Sequence, residues 1–242
     1  MRRAVRIAGT LLAGLGVLLL VWAFAVWKWG DPLTSVYTSW EQRKLESRYV
    51  QLSASSPLAA LPAGRPARSR SRNDDDPGAR ARVRATAGRY RRTVEVGQPI
   101  ARIKVPRLGL NMLVVAGTDS ASLKKGPGWD RRTFMPGEGQ LTYIAGHRTT
   151  YGAPFAHIDR LGKGDVVEID LPYGHFRYEV TRSVIVPADD LSRLESSGRE
   201  VLALQACHPR FSARQRYIVY AKPATASPAA SARPTVAAPS TP

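Results

Sequence analysis

The sequence predicts a mainly β domain of about eight strands with short helices, carried behind one transmembrane helix. Residues 94–223 break into short runs of alternating apolar and polar residues separated by Gly and Pro, the period-two signature of half-buried strands. Roughly eight such runs in so short a segment suit a closed or sandwich-like β-fold, architectures that cover their sheet edges. Ahead of them, Ile7 to Val26 is apolar-rich and carries no charge. About twenty helical residues match the roughly 30 Å hydrocarbon core of a bilayer.

At the N-terminus, Arg2, Arg3 and Arg6 precede this stretch, and Trp22, Trp27 and Trp29 lie near its far end. Basic residues stay cytoplasmic and indoles favour the interface, so residues 1–29 read as a cytoplasmic flank and anchor with the rest of the chain outside. A cleaved signal peptide is the competing reading, since Ala23-Phe24-Ala25 resembles a cleavage site. The apolar stretch exceeds the usual 7–15-residue signal core, which favours a retained anchor. Next, Leu33, Val36, Tyr37, Trp40, Lys44, Leu45, Tyr49 and Leu52 recur at mostly helical spacing, predicting a membrane-proximal helix within residues 30–52. Thr38 and Glu41 fit a capping box.

Residues 53–93 are rich in Ala, Pro, Ser, Gly and Arg and read as a disordered basic linker, with contact to anionic lipid or wall polymer as its functional option. Residues 94–223 form the β domain. Its predicted strands are Ile100–Ile103, Leu110–Val115, Leu141–Ala145, Val167–Leu171, Phe176–Val180, Val184–Val186, Val201–Ala206 and Arg216–Ala221. Pro172-Tyr173-Gly174-His175 joins the fourth and fifth as a hairpin. Short helices are expected near Ser120–Lys125 and Asp189–Leu194. Residues 224–242 are Ala, Pro, Ser and Thr with one Arg and read as a disordered tail.

The formal net charge is +17, which first suggests nucleic acid or an anionic surface. Of that excess, +11 falls in residues 1–93 and only +5 in residues 94–223. A basic nucleic-acid-binding fold needs the charge on its own surface, and no matching motif is present, so that class is set aside. One cysteine excludes an internal disulfide and a cysteine-only zinc site. No His-Glu-x-x-His or other compact ligand spacing appears, so neither a metal nor a cofactor is expected.

Cys207 closes the Val201–Ala206 strand and His147 closes the Leu141–Ala145 strand, after Gly146. Arg216 opens the strand that follows Cys207, on the face of Ile218 and Tyr220. Thiolate chemistry needs a base and a means of stabilising an oxyanion, and these residue types supply both. Taken singly, each has a blander reading: a buried apolar cysteine, a structural histidine, a solvated arginine. His157, His175 and His208 are read as structural or solvated.

The segment Leu204-Gln205-Ala206-Cys207-His208-Pro209-Arg210-Phe211-Ser212-Ala213-Arg214-Gln215-Arg216 closely resembles the active-site end of a sortase. It looks most like the class E housekeeping sortases of high-GC Gram-positive bacteria. Ile144-Ala145-Gly146-His147-Arg148 resembles the family's histidine motif. Gly152-Ala153-Pro154-Phe155, Leu161-Gly162-Lys163-Gly164-Asp165, Ile103 to Leu110 and Pro136-Gly137-Glu138-Gly139 follow the family order. The resemblance covers roughly residues 97–222.

The resemblance implies a closed eight-stranded β-barrel. It implies Cys207 as nucleophile, His147 as general acid/base, and Arg216 as stabiliser of the oxyanion or substrate backbone. It further implies cleavage of a Leu-Pro-x-Thr-Gly or Leu-Ala-x-Thr-Gly sorting signal after Thr. The acyl group would pass through a Cys thioester to an amine of a cell-wall precursor. The partners are then secreted proteins bearing a C-terminal sorting signal, the peptidoglycan precursor, and the membrane. The family's Thr-Leu-x-Thr-Cys is here Ala203-Leu204-Gln205-Ala206-Cys207. A methyl cannot replace a hydroxyl hydrogen bond, so a catalytically impaired, membrane-tethered binding module is the alternative, or Gln205 compensates. A secreted cysteine peptidase of the papain type places Cys before His, opposite to the order here.

Overall fold

A computed structural model of the chain describes residues 2–29, 32–55 and 77–227. Helix α1 spans Arg2–Trp29. Its segment Val5–Phe24 is long and apolar enough to cross a membrane, and none of it is buried against the rest of the chain.

Helix α2 covers Pro32–Ser55, slightly longer than the expected membrane-proximal helix. Proline at the first helical position loses no needed N–H and presets φ. One face, Thr38, Glu41 and Leu45, is buried. Leu45 packs on Leu113 and Val115. The Gln42 side chain brackets Leu113, accepting from its N–H at 2.7 Å and donating to its carbonyl at 3.0 Å and to that of Lys125 at 2.8 Å. Farther along, Glu46 pairs with Arg102, and the Tyr49 hydroxyl donates to the Asp170 carbonyl at 2.9 Å.

The expectation of a disordered linker over 53–93 is overturned at both ends. Residues 53–55 complete α2, and Pro77–Thr93 form helix α3; residues 56–76 lie outside those described. The composition of α3 reads as loop, yet Val83, Ala87 and Tyr90 recur at helical spacing and make a narrow stripe that meets the barrel. Tyr90 is buried, donates its hydroxyl to the Ile100 carbonyl at 2.8 Å and meets Tyr173 edge-on. Arg91 pairs with the nearly buried Glu138 at 3.0 Å. Arg91 and Arg92 in the last turn also complement the helix dipole.

The β domain is a closed eight-stranded barrel, ordered β1-β2-β3-β4-β7-β8-β6-β5 and shut by the β1–β5 pair. The strands are β1 Pro99–Val105, β2 Leu110–Ala116, β3 Gly128–Trp129, β4 Leu141–Ala145, β5 Val166–Leu171, β6 Gly174–Pro187, β7 Val201–His208 and β8 Gln215–Ser227. The β2–β3 and β4–β7 pairs are parallel and the others antiparallel. Ile103, Trp129, Phe155, Ile169, Tyr178 and Leu204 fill the interior. Outside, Leu141, Tyr143, Val186, Ala203, Ile218 and Tyr220 form a second apolar layer. The two layers are the two side-chain parities of the same strands.

Three details depart from the expectation. The runs 176–180 and 184–186 are one strand, β6, continuous through an irregularity between Val180 and Arg182. A bulge lets one strand change twist without ending, and its extra residue masks the period-two pattern. The two-residue β3 is too short to show any period. Strand β8 runs on to Ser227, so the tail expected from 224 begins no earlier than 228, and those residues lie outside the described ones. A short helix α4, Ser120–Leu123, follows its N-cap Asp119, and Leu191–Leu194 forms a single 3-10 turn.

Candidate active site

Strands β4, β7 and β8 lie side by side, and their register brings the three expected residues to one end of the barrel. Tyr143 pairs with Ala203 and Ala145 with Gln205 across the parallel β4–β7 ladder, and Gly146 N–H continues it to the Gln205 carbonyl at 2.9 Å. Cys207 stands directly opposite Arg216 across β7–β8. Alternation then decides the face. Leu202, Leu204 and Ala206 point into the barrel, while Gln205 and Cys207 open outward with Arg216 and Ile218. His147, Cys207 and Arg216 thus line one groove of about 270 Å³. Thr118, Leu123, Asp130 and Arg132 wall one side, and Ala188, Asp190, Leu191 and Leu194 the other.

His147 is held by its own loop. Its carbonyl accepts from the Phe155 N–H at 3.1 Å, closing the turn over fully buried Phe155. Gly146 is required by that turn: a Cβ there would lie 2.7 Å from the Phe155 ring and 3.0 Å from Pro154. The Tyr151 ring packs at a tilt against the imidazole, centroids 5.1 Å apart and planes at 38°. Burial, and secondarily the Lys124 ammonium, hold the His147 pKa below the ordinary histidine value. The ring is therefore a neutral base at neutral pH. Its Nε2 is buried with no hydrogen-bond partner among the described residues.

The Arg216 guanidinium is oriented by the β7–β8 loop. Its Nη1 donates to the carbonyls of Ala213 at 2.8 Å and Gln215 at 3.1 Å. A group pinned at one nitrogen keeps its plane fixed and retains other donors for a negatively charged oxygen. In the groove wall, burial opposes the Asp130 carboxylate, but the fork of Arg132 outweighs it and holds the pKa below the usual carboxylate range. That pair is an internally neutralised wall.

The sequence reading passed over two residues. Arg148 has a 5% exposed side chain, and links Asp159, His208 and the Cys207 carbonyl. Tyr151 caps His147. The sequence signals for them were adjacency to the histidine and nothing more. Burial of an arginine is a property of the folded loop. Of the other histidines, His175 bonds Asp170 on the β5–β6 hairpin and His208 lies beside Cys207, accepting from Arg148. Ala206 is fully buried in the barrel interior, whereas Gln205 lines the groove. The hydroxyl missing at 206 is thus missing from the core side of β7. Among the described residues no group of three or more His, Cys, Asp or Glu side chains is placed to hold a metal ion.

The chain is similar to several known proteins. The Sortase domain family matches residues 103–224. Sortase D of Bacillus subtilis is 35% identical over 136 residues, which cover 54% of this chain and 67% of that protein. Sortase SrtE1 of Streptomyces coelicolor is 27% identical over 162 residues, covering 58% of this chain and 44% of that protein, so the match spans less than half of that relative. Among solved structures, sortase E from Streptomyces avermitilis superposes with a TM-score of 0.51 at 32% identity, covering 58% of this chain and 97% of that one.

Proposed function

The chain belongs to the sortase family, and on that premise we propose that it is a membrane-anchored cysteine transpeptidase of the class E kind. Its substrates are secreted proteins ending in a Leu-Pro-x-Thr-Gly or Leu-Ala-x-Thr-Gly sorting signal. Its acyl acceptor is an amine of a cell-wall precursor. The observation that carries this reading is the shared groove of Cys207, Arg216 and His147, with Cys207 and Arg216 as direct cross-strand partners.

The chemistry follows from those groups. The neutral imidazole of His147 takes the thiol proton, and the Cys207 thiolate attacks the carbonyl carbon of the signal's Thr. The tetrahedral oxyanion lies against the Arg216 guanidinium, which cannot act as a base and serves electrostatically. The imidazolium then protonates the leaving Gly amine as the C–N bond breaks, leaving a thioester on Cys207. The incoming amine attacks that thioester, and the thiol is regenerated. A thioester keeps the acyl group reactive toward amines.

Helix α1 serves as the anchor, with Arg2, Arg3 and Arg6 on the cytoplasmic side and the barrel outside. The test uses the full chain in detergent with a panel of sorting-signal peptides and an added amine. Release of the C-terminal fragment, joining of the acyl part to the amine, and a mass adduct on Cys207 are expected. No adduct across the panel would sink the enzyme reading.

A further inference from the structure

Helix α2 joins the apolar helix to the catalytic groove through its first two turns. Trp29 ends α1 and Pro32 begins α2, so only residues 30 and 31 intervene. Thr34 Oγ accepts from the Tyr151 N–H at 2.8 Å, and the Thr38 hydroxyl donates to the Lys124 carbonyl at 2.9 Å. The Tyr37 ring meets Tyr151 edge-on, and Tyr151 in turn covers His147. Five residues from Trp29 to Thr34 span at most about 18 Å. The end of α1 is therefore tethered within that distance of Thr34, which is hydrogen-bonded to the His147 side of the groove, whatever the angle between the helices.

The first turns of the opposite face of α2 carry large apolar side chains where a solvated helix would be polar. Val36 is 69% exposed, Trp40 50% and Tyr37 42%. Val36 and Trp40 stand one turn apart and away from the face that buries Thr38 and Leu45. Arg43 and Lys44 follow them, and the Lys44 ammonium sits 4.4 Å over the Trp40 ring. Aromatic rings beside long basic side chains make the mixed surface favoured at a headgroup layer, with basic heads drawn to anionic lipid.

We propose that Val36, Tyr37 and Trp40, with Arg43 and Lys44, form a lipid-docking surface. It lies in the headgroups of the anionic outer leaflet of the bilayer that α1 spans, and it seats the His147 side of the groove on the membrane. This rests on the anchor reading above. It adds a defined orientation to that anchor: the groove meets substrates at the membrane surface, not at the end of a free tether.

The test uses the full chain with Cys207→Ala and one new cysteine at a time, Leu15→Cys, Val36→Cys or Ser197→Cys, each carrying an environment-sensitive nitrobenzoxadiazole label. The protein is placed in phosphatidylcholine/phosphatidylglycerol vesicles whose lipids are brominated near the headgroup end of the chains for the labels at 36 and 197, and near the methyl end for the label at 15. Labels at 15 and 36 should be quenched at least about twofold and the label at 197, near the start of β7 and far from Cys207, should not. Loss of quenching at 15 defeats the anchor reading and this proposal with it. Quenching at 15 without quenching at 36 overturns the docking surface and leaves the anchor standing; a second protein copy covering the face gives this result. Equal quenching at 36 and 197 also overturns it. In the protein retaining Cys207, Val36→Glu with Trp40→Glu should slow acylation by a membrane-inserted substrate about fivefold or more and leave a soluble signal peptide unaffected. Equal loss on both substrates counts against docking.

Discussion

Arg148 Nη1 lies 2.8 Å from Nδ1 of His208 and 3.4 Å from the carbonyl oxygen of Cys207. The residue after His147 is thereby strapped to the residue after the thiol, and Nη2 runs to Asp159 at 2.7 Å. A guanidinium only donates, so His208 Nδ1 accepts and the ring's proton resides on Nε2. The strap fixes two strand ends that must stay in register for His147 to reach Cys207.

Replacing Arg148 by Met keeps the side-chain bulk and removes the strap. It leaves three acceptors, the Cys207 carbonyl, His208 Nδ1 and Asp159, without their donor, a loss of about 1–3 kcal/mol. Thermal unfolding should fall by several degrees, and thioester formation should slow about tenfold or more with little change in KM. Unchanged turnover alongside a lowered melting temperature would make Arg148 purely structural.

Arg216→Lys tests the other cation. An ammonium lacks the planar fork and cannot hold the Ala213 and Gln215 carbonyls while presenting a second donor along a fixed direction. Acylation should drop about a hundredfold or more, in the range seen when an oxyanion donor is lost, with the fold intact by circular dichroism. Near-normal acylation in this variant would remove Arg216 from the site.

Gly146→Ala asks whether the tight turn matters. The new methyl would meet the buried Phe155 ring at 2.7 Å, and that ring is fixed inside the barrel. Overpacking of this kind costs about 1–3 kcal/mol, and its relief moves the His147 loop. Both the denaturant midpoint and acylation should fall. Gly146→Ala combined with Phe155→Leu should recover part of the stability, because the clash is with the ring.

The barrel was legible because β5 and the first half of β6 bury alternate residues, and their period survives in the sequence. Cys207, His147 and Arg216 were legible because each sits at a strand end within an ordered set of motifs. Helix α3 was not, because three small contacts at Val83, Ala87 and Tyr90 dock it and its remaining residues look like linker. Arg148 and Tyr151 were not, because Arg148 gains its role from burial and from His208 sixty residues on, and Tyr151 from the way its loop folds back on His147 and meets Tyr37 of α2. The groove walls at Asp130 and Leu191 belong to that same class of long-range information.

The protonation of His147 gives a prediction with a definite sign. Burial first and Lys124 second lower its folded pKa below the ordinary value of about 6.5, which it regains on unfolding. Between the two values the unfolded chain binds more protons, so stability rises with pH in that window. The contribution is complete above about pH 6.5 and is lost as pH falls through that value toward the folded pKa. His157 shifts the same way, through burial and then Arg160, and adds to the slope. Asp130 and Asp159 have lowered carboxylate pKa values, so their contributions fade only in more acid solution. The His147 share is the difference between the natural chain and His147→Gln: urea midpoints measured from pH 8 down to pH 5 should converge. Tyr151→Ala uncovers the ring and should raise its titration toward 6.5, read directly from the imidazole proton resonance. A natural-chain resonance titrating at or above 6.5 would show that neither burial of the ring nor the Lys124 charge governs its titration.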